Sequence, residues 1–337
     1  MANLTTEFLG LELKNPLIAS SSPLTGHIDS ARRLEDAGAA AIVMPSLFEE
    51  EVRQSEESIA RFLNDQAIGF GEANSFLPIP EERTTPLDDY LQLLADLKSA
   101  LDIPVIASLN GITNDGWIRY GTEIEEAGAD ALELNVYYVA SNLEESAAEV
   151  ESRYVEMLYE LRQNVKLPIC MKLSSQFSSV GHFVRSLEAG GASGVSIFNR
   201  FYQPDIDLTS REVVPKLDLS SPYESLLRIH WLAILYGRVN LSLAATGGFH
   251  GASEILKALM AGADATYLCT VLLKKGEAEL GVILQDVERW LDDNELESLQ
   301  ELKGTVSQQH TPDPAAFQRN NYVKLIEAYR SPEGAMR

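Results

Sequence analysis

Short apolar runs recur along the chain, and the segments between them carry apolar residues at helical spacing. One kind of run follows Ala-Gly-Ala or a close relative, in which a glycine stands where a helix needs its C-terminal cap. The other kind follows a proline or an asparagine. The two kinds alternate and predict eight strands, at residues 17–20, 41–44, 105–108, 131–134, 169–172, 194–198, 241–244 and 265–268.

Helical segments lie between these strands, including residues 86–100, 115–127, 146–163 and 222–236. Eight short strands that alternate with helices indicate an α/β fold, a (β/α)8 TIM barrel, and not an open doubly wound sheet. A short hairpin is expected at residues 5–15, with its turn at Gly10, and extra C-terminal helices at about 277–337. We therefore expect residues 1–337 to form a single domain whose barrel covers about 15–275.

Three loops are longer than ordinary strand-to-helix connections: residues 46–84, 136–145 and 199–221. They follow the second, fourth and sixth strands. In such a barrel all strands end at one face, where the following loops carry the ligand site. Polar residues at or just beyond the strand ends are Ser20, Ser46, Ser108, Asn110, Asn135, Lys172, Ser196, Asn199, Thr246 and Thr270.

A glycine pair, Gly247-Gly248, joins the seventh strand to a helix that begins near Ala252. Glycines at such a turn let backbone N–H groups approach an anion, and the helix start adds the positive end of its dipole. The same pair also suits a tight turn that needs glycine for its own geometry. Its place after the seventh of eight strands favours a phosphate cradle, because barrel phosphate sites gather after strands seven and eight.

Lys172 is the one cation at a predicted strand end. Alternation puts Cys170 and Lys172 on one face of the fifth strand and Met171 on the other. If Met171 packs against the helices, Lys172 points into the barrel mouth, where a buried ammonium needs an anion or several acceptors. A cofactor that becomes negative on reduction supplies one. The alternative is a lysine that extends its amine into solvent.

The composition limits the classes of partner and cofactor that we expect for this chain. The formal net charge of −23 disfavours nucleic acid and anionic membranes, which leaves a small-molecule substrate. No membrane span or signal pattern is present, so we expect a cytoplasmic protein. The two cysteines, Cys170 and Cys269, provide no disulfide framework and cannot hold an iron–sulfur cluster by themselves. The five histidines show no metal-ligand spacing, and no metal is predicted.

Sequence segments at the strand ends follow one another in an order that resembles that of the dihydroorotate dehydrogenases. These are flavin mononucleotide (FMN) enzymes on a (β/α)8 barrel. The resemblance covers about residues 5–285, and the pieces gain specificity from their order, one at each strand end. The matching pieces are Asn15-Pro16-Leu17-Ile18-Ala19-Ser20, Leu132-Glu133-Leu134-Asn135, Met171-Lys172-Leu173, Asn199, Ala245-Thr246-Gly247-Gly248, and Ala263-Asp264-Ala265 leading to Cys269-Thr270.

This resemblance implies FMN as cofactor and the oxidation of dihydroorotate to orotate, a CH–CH oxidation in pyrimidine biosynthesis. It places Lys172 at the pyrimidine edge of the flavin, where a cation stabilises the reduced anion. The FMN-binding residues it implies are Ala19, Ser20, Lys172, Thr246, Gly247, Gly248, Cys269 and Thr270. Further FMN-binding candidates at the strand ends are Ser108, Asn110, Asn135 and Ser196. The substrate-binding residues it implies are Asn74, Asn135 and Asn199.

The chain departs from the family where acid–base chemistry is expected. The loop after the fourth strand reads Asn135-Val136-Tyr137-Tyr138-Val139-Ala140, so that Tyr138 stands where the family has a cysteine or serine base. A phenol is a poor base at neutral pH unless its surroundings favour the phenolate. Met44 stands where the family has a lysine, and Arg200 is a candidate replacement. Tyr138 and Lys172 are the catalytic candidates.

Three functions are compatible with these residues. The first is oxidation of dihydroorotate with a rearranged base. The second is FMN chemistry on another planar substrate, pyrimidine-like or an enone, to which Tyr138 donates a proton. The third is a non-redox barrel enzyme or binding module for a phosphate ligand, in which Lys172 forms a Schiff base.

The route of the electrons is open as well. The chain has no dinucleotide-binding fingerprint and no cluster ligands, so electrons that leave by those routes need a separate electron-transfer partner. A homodimer is what the family resemblance implies.

Overall fold

The computed structural model describes residues 2–55, 57, 85–111, 114–318 and 320–328. In these ranges the strands β1 to β12 span Thr6–Phe8, Leu11–Leu13, Leu17–Ala19, Ala41–Phe48, Val105–Asn110, Ala131–Asn135, Ile169–Leu173, Gly194–Ile197, Asp205–Asp207, Glu212–Val214, Ser242–Thr246 and Ala265–Leu268. The α-helices span Ile28–Asp36, Pro86–Ala100, Asn114–Glu126, Ala147–Asn164, Val180–Ala189, Ser225–Leu235, Ala252–Ala261, Thr270–Lys275, Glu279–Asp293, Leu299–Leu302 and Asn320–Ala328. Short 3-10 helices span Pro23–Thr25, Pro222–Glu224 and Pro314–Phe317, and residues 49–55 are also helical.

Eight parallel strands close into a barrel in the order β3-β4-β5-β6-β7-β8-β11-β12, which confirms the predicted (β/α)8 fold. All eight predicted strands are present. The predicted helix caps explain where the chain turns back: Gly38, Gly128, Gly191 and Gly262 have φ angles between +92° and +114°. This left-handed backbone is accessible to glycine and costly for other residues, so each of these helices ends where its glycine stands.

The predicted N-terminal hairpin is formed by β1 and β2, which pair in antiparallel register. Its side chains Phe8, Leu9 and Leu13 are buried against the residues that fill the barrel interior. The ring of Phe8 meets the ring of Tyr267 edge to face, with 6.2 Å between centroids. The hairpin therefore closes the N-terminal end of the barrel, and ligands must enter from the C-terminal end.

Strand β4 is longer than its apolar run predicts, because it continues from Met44 to Phe48. A shift in register between Val43 and Ser46 interrupts its pairing with β5, which then resumes as far as Asn110. Such a bulge changes which side chains face inward. Met44 packs into the helix-facing core, and the side chain presented at the barrel mouth is Ser46. Met44 therefore points away from the barrel mouth.

The remaining elements support the barrel from outside. The helix Glu279–Asp293 buries Leu280, Ile283, Val287 and Leu291 against it, at the helical spacing seen in the sequence. Strands β9 and β10 form a small antiparallel hairpin within the long loop after β8. None of the helices in the described ranges is long and apolar enough to cross a membrane.

Candidate functional site

A cavity of about 240 Å³ opens at the C-terminal ends of the barrel strands. The ends of β3, β7, β11 and β12 and the loop after β8 supply its walls. The residues predicted from the sequence that line it are Ser20, Lys172, Asn199, Thr246, Gly247, Gly248, Cys269 and Thr270.

Other predicted residues do not line this cavity. Ala19 packs into the helix-facing core, because neighbouring residues of β3 face opposite sides. Ser196 and Ser108 are fully buried, and Asn110 ends β5 in a half-buried position. Asn74 lies outside the described residues.

A row of hydrogen-bonded side chains crosses the barrel mouth. The hydroxyls of Ser46 and Ser108 are 2.8 Å apart, and the Asn135 amide donates to Ser46 at 3.5 Å. Asn199 donates to the Asn135 side-chain oxygen at 2.7 Å. The two asparagines implied as substrate ligands are therefore joined to each other, and Asn199 reaches the cavity wall.

Lys172 forms a buried ion pair with Glu133 at the cavity floor. Its Nζ donates to Glu133 Oε1 at 3.0 Å, and the two side chains are 8% and 0% exposed. Cys170 joins the interior cluster while Met171 joins the helix-facing core, as alternation along β7 predicts. The sequence indicated the direction of Lys172 but not its partner. Removing one member of such a pair leaves an uncompensated charge, which is far more costly than removing both.

Three fully buried polar atoms at this end of the barrel have no hydrogen-bond partner among the described residues: Glu133 Oε2, Ser196 Oγ and Tyr267 Oη. Ser196 lies beside Lys172 in the register of β7 and β8, and Tyr267 lines the cavity. Burial, and then the nearby Cys170 and Glu133, raise the pKa of Tyr267, so its phenol stays neutral. Side-chain hydrogen bonding to Cys170 and Glu133 also raises this pKa, so Tyr267 and Glu133 lie close enough to interact with each other beneath the cavity.

The Gly247-Gly248 turn has φ angles of +90° and +91°. A Cβ atom at Gly248 would lie 2.4 Å from the backbone nitrogen of Ser225, so a helix start packs directly on this glycine. Turn geometry by itself therefore requires glycine here. In addition, neither glycine N–H donates to a protein acceptor in the described part of the chain. Unpaired N–H groups at a partly buried turn are rare, and they supply the donors that an anion needs.

Ser220, in the loop after β10, lines the cavity together with the glycine turn. Its hydroxyl donates to Thr270 Oγ1 at 2.9 Å and lies 3.3 Å from His250 Nε2. Burial, and then the nearby Lys274, lower the pKa of His250, which favours the neutral imidazole. A hydroxyl group from a loop and one from the first residue of the helix Thr270–Lys275 thus meet at this end of the cavity.

Tyr138 lies in a separate cluster beyond the cavity lining. Its hydroxyl donates to Glu145 Oε2 at 2.6 Å, and the guanidinium of Arg153 lies 4.4 Å from its ring centroid. Arg153 also forms an ion pair with Glu145. The acid–base role of Tyr138 stays a prediction, because a substrate would have to reach a phenol that is already bound to a carboxylate.

The sequence analysis did not single out several residues in or next to the cavity, among them Glu133, Ser220 and Tyr267. It also missed Arg228, whose Nη2 would lie 3.0 Å from a Cβ atom at Gly247. Glu133 carried a usable signal, since it is a charged residue in an apolar strand and shares the inward parity of Asn135. Arg228 and Ser220 carried none, because a helix and a long loop do not by themselves indicate which residues turn towards a ligand. Arg200 does line the cavity, with its Nε 3.4 Å from Glu224.

Comparison with known proteins adds the family. The model of the dihydroorotate dehydrogenase family matches residues 3–291. The catalytic subunit of dihydroorotate dehydrogenase B (NAD(+)) from Thermoplasma acidophilum is 23% identical over 313 residues, which cover 90% of this chain and 99% of that protein. Dihydroorotate dehydrogenase A (fumarate) from Lactobacillus delbrueckii subsp. bulgaricus is 24% identical over 278 residues, covering 79% and 86%. With a family model matched along most of its length and a barrel that presents the expected strand ends, this chain belongs to the dihydroorotate dehydrogenase family.

Proposed function

We propose that this chain is an FMN-dependent oxidoreductase that oxidises dihydroorotate to orotate in pyrimidine biosynthesis. One observation carries the proposal: in a chain of this family, the unpaired N–H groups of a glycine turn and the ammonium of Lys172 belong to the same cavity. Both relatives described above carry dihydroorotate dehydrogenase in their names.

The donors of the cavity fit FMN. Thr246, Gly247, Gly248 and Thr270 would hold its phosphate end, and Lys172 would face the pyrimidine edge of its ring. When bound, FMN supplies a hydride acceptor. Ser20 and Cys269 line the wall between these ends. The other FMN contacts predicted from the sequence, at Ala19, Ser108, Asn110, Asn135 and Ser196, are proposed for the same site.

The chain's own residues would bind the substrate and move its proton. Asn135 and Asn199 present amide groups to a planar ring, and Arg200 provides a cation for a carboxylate. Oxidation of a CH–CH bond removes a proton and a hydride from neighbouring carbons, so a proton acceptor is required. We propose Tyr138 for this role, with Glu145 as the carboxylate that takes the phenol proton in turn.

Replacing Tyr138 by phenylalanine is expected to slow flavin reduction by at least about tenfold, because positioned acid–base groups contribute that much or more. FMN affinity should not change, since the ring over Arg153 is kept. Stopped-flow absorbance of the flavin measures both effects. Tyr223→Phe is the control, because Tyr223 is 80% exposed. Equal reduction rates in the two variants would remove Tyr138 from the mechanism.

Purified protein tests the proposed function directly. It should be yellow and release FMN on denaturation, and dihydroorotate added without oxygen should bleach the flavin. A colourless protein that does not take up FMN would sink the proposal. The same preparation gives the oligomeric state, which we propose to be a homodimer, and allows a search for the electron-transfer partner.

A second candidate function is FMN chemistry on another planar, pyrimidine-like or enone substrate. It is favoured by the end of β4, where the family has a lysine and this chain has Met44-Pro45-Ser46. A dihydroorotate-specific enzyme that lacks this cation loses a charge-assisted hydrogen bond to its substrate. A flavin that is reduced by dithionite but not by dihydroorotate would support this candidate over the first.

The non-redox alternative is less well supported. A Schiff-base lysine reacts as a neutral amine, whereas Lys172 has a carboxylate partner that stabilises an ammonium. Borohydride trapping in the presence of a carbonyl substrate would detect such a base.

A further inference from the structure

We propose that Arg228 supplies the fixed positive charge of the phosphate cradle and acts on the ligand through the Gly247-Gly248 turn. Arg228 is thus a positioning residue for the anionic end of the cofactor. The inference rests on the proposed binding of a phosphate-bearing ligand.

Arg228 is held by backbone carbonyls. It lies in the helix Ser225–Leu235 and is only 6% exposed. Its Nε donates to Thr246 O at 2.9 Å, and its two terminal nitrogens donate to Glu224 O at 2.8 Å and Phe198 O at 3.2 Å. One guanidinium therefore ties the end of β11, the residue after β8 and the start of the helix together.

The charge of Arg228 is not neutralised by an ion pair. In the described ranges no carboxylate oxygen lies within 4 Å of it, and the Glu224 carboxylate is paired with Arg200 instead. Burial lowers the pKa of Arg228, and the more distant Glu224 offsets this in part. A guanidinium stays charged in proteins, so the burial cost remains until an anion comes near.

The glycine turn lies directly against this cation. A Cβ atom at Gly247 would be 3.0 Å from Arg228 Nη2, so the backbone of the turn contacts the guanidinium. The cavity lies on the other side, where Gly247 and Gly248 form part of its lining. An anion bound to the turn would therefore have Arg228 as the charge behind it, separated only by the peptide backbone.

The net charge of the whole chain makes a cation beside the glycine turn favourable for binding an anion. Its formal net charge of −23 repels an anionic ligand. Lys172 already has the Glu133 carboxylate beside it and Arg200 has that of Glu224, whereas the three atoms nearest to a Cβ atom at Gly247 all belong to Arg228. Arg228 is the cation by the turn whose guanidinium is bonded only to neutral groups.

The test compares FMN with riboflavin, which lacks the phosphate. In Arg228→Gln we expect the Kd of FMN to rise about 10–100-fold, because one nearby unit charge is lost in a weakly screened site. The Kd of riboflavin should change less than about threefold, because neutral ligands do not sense the charge. Fluorescence titration of the apoprotein measures both. Arg162→Gln is the matched control, since Arg162 also donates to two backbone carbonyls, far from the cavity, at Val165 and Leu167.

Equal losses for both flavins would overturn the inference, because Arg228 would then only hold the backbone together. If Arg228→Gln does not fold, Arg228→Lys decides. A buried lysine loses its proton more readily than arginine, so its FMN affinity, but not its riboflavin affinity, should fall as the pH rises towards about 10. A pH-independent FMN affinity in Arg228→Lys would contradict the inference.

A wild-type protein that binds neither flavin would overturn the proposed function by itself. Inorganic phosphate then replaces the flavins as the probe. It should stabilise the wild-type protein against heat and lose this effect in Arg228→Gln. An equal effect on both proteins, or none on the wild type, would overturn the role of Arg228 as well.

Discussion

Lys172→Met is expected to destabilise the folded protein by about 3–5 kcal/mol, the range observed when one member of a buried ion pair is removed. The reason lies beneath the cavity, where Glu133 is fully buried and has Lys172 as its ion-pair partner. Urea unfolding of the flavin-free protein, followed by circular dichroism, measures the loss. The variant should also bind flavin less tightly, because the Lys172 ammonium that it lacks lines the cavity.

Two further variants separate burial from charge. Lys216→Met removes a lysine whose distance to Asp205 is likewise 3.0 Å, but both side chains are more than half exposed. It should leave the unfolding midpoint nearly unchanged, because exposed pairs contribute little. The double variant Glu133→Gln with Lys172→Met should recover most of the lost stability. If Lys172→Met is as stable as Lys216→Met, the buried charge of Glu133 does not need Lys172 for the protein to stay folded, which contradicts the prediction.

Gly248→Ala is expected to abolish flavin binding, with a loss of affinity greater than about 100-fold. The new methyl group would meet the Ser225 backbone nitrogen at 2.4 Å and the Glu224 carbonyl carbon at 2.9 Å, and neither can move without displacing a helix. The φ angle of +91° adds strain of its own. Together these costs amount to roughly 2–5 kcal/mol of folding stability.

Gly276→Ala isolates the part that comes from backbone strain. Gly276 has a φ angle of +88°, and a Cβ atom there would meet nothing within 4 Å. Its ψ angle of 170° places it in a backbone region that is essentially restricted to glycine, so this variant should lose about 1–3 kcal/mol and bind flavin normally. Flavin titration and urea unfolding of both variants make the comparison. Wild-type flavin affinity in Gly248→Ala would exclude the turn from the cofactor site.

The barrel fold and the inward direction of the Lys172 side chain could be predicted, because both depend on the local pattern of apolar and polar residues. The strands are fixed by short apolar runs and by glycines that end the preceding helices. Lys172 follows from strict alternation along β7, which has no bulge to disturb it. These features involve neighbours in sequence, where periodicity is informative.

The end of β4 could not be predicted in the same way, because the bulge there depends on how this strand pairs with β5. The family resemblance pointed to Met44, whereas the structure presents the Ser46 side chain at the barrel mouth. The partners of Tyr138 were hidden for a different reason. Glu145 and Arg153 approach it from the following loop and helix, and such tertiary contacts leave no periodic trace.

The buried position of Arg228 is the feature of the site that the sequence was least able to predict. In the sequence it is one charged residue in a helix, where a solvent-exposed position is the usual expectation. Only the packing of that helix against the ends of β8 and β11 turns it inward. Its contact with Gly247 is a property of the folded barrel and of no local segment.

The closure of the barrel has a consequence for assembly. The last barrel strand, β12, pairs with the first, β3, and the N-terminal hairpin is fastened to the late strands through Thr6 and Leu9, which donate to Asp264 and Ser242. Ser20 follows β3, while the glycine turn follows β11. The first and the last strands of the barrel must therefore both have left the ribosome before the cavity can form. If the proposed cofactor is correct, the appearance of bound flavin during synthesis marks the final step of folding.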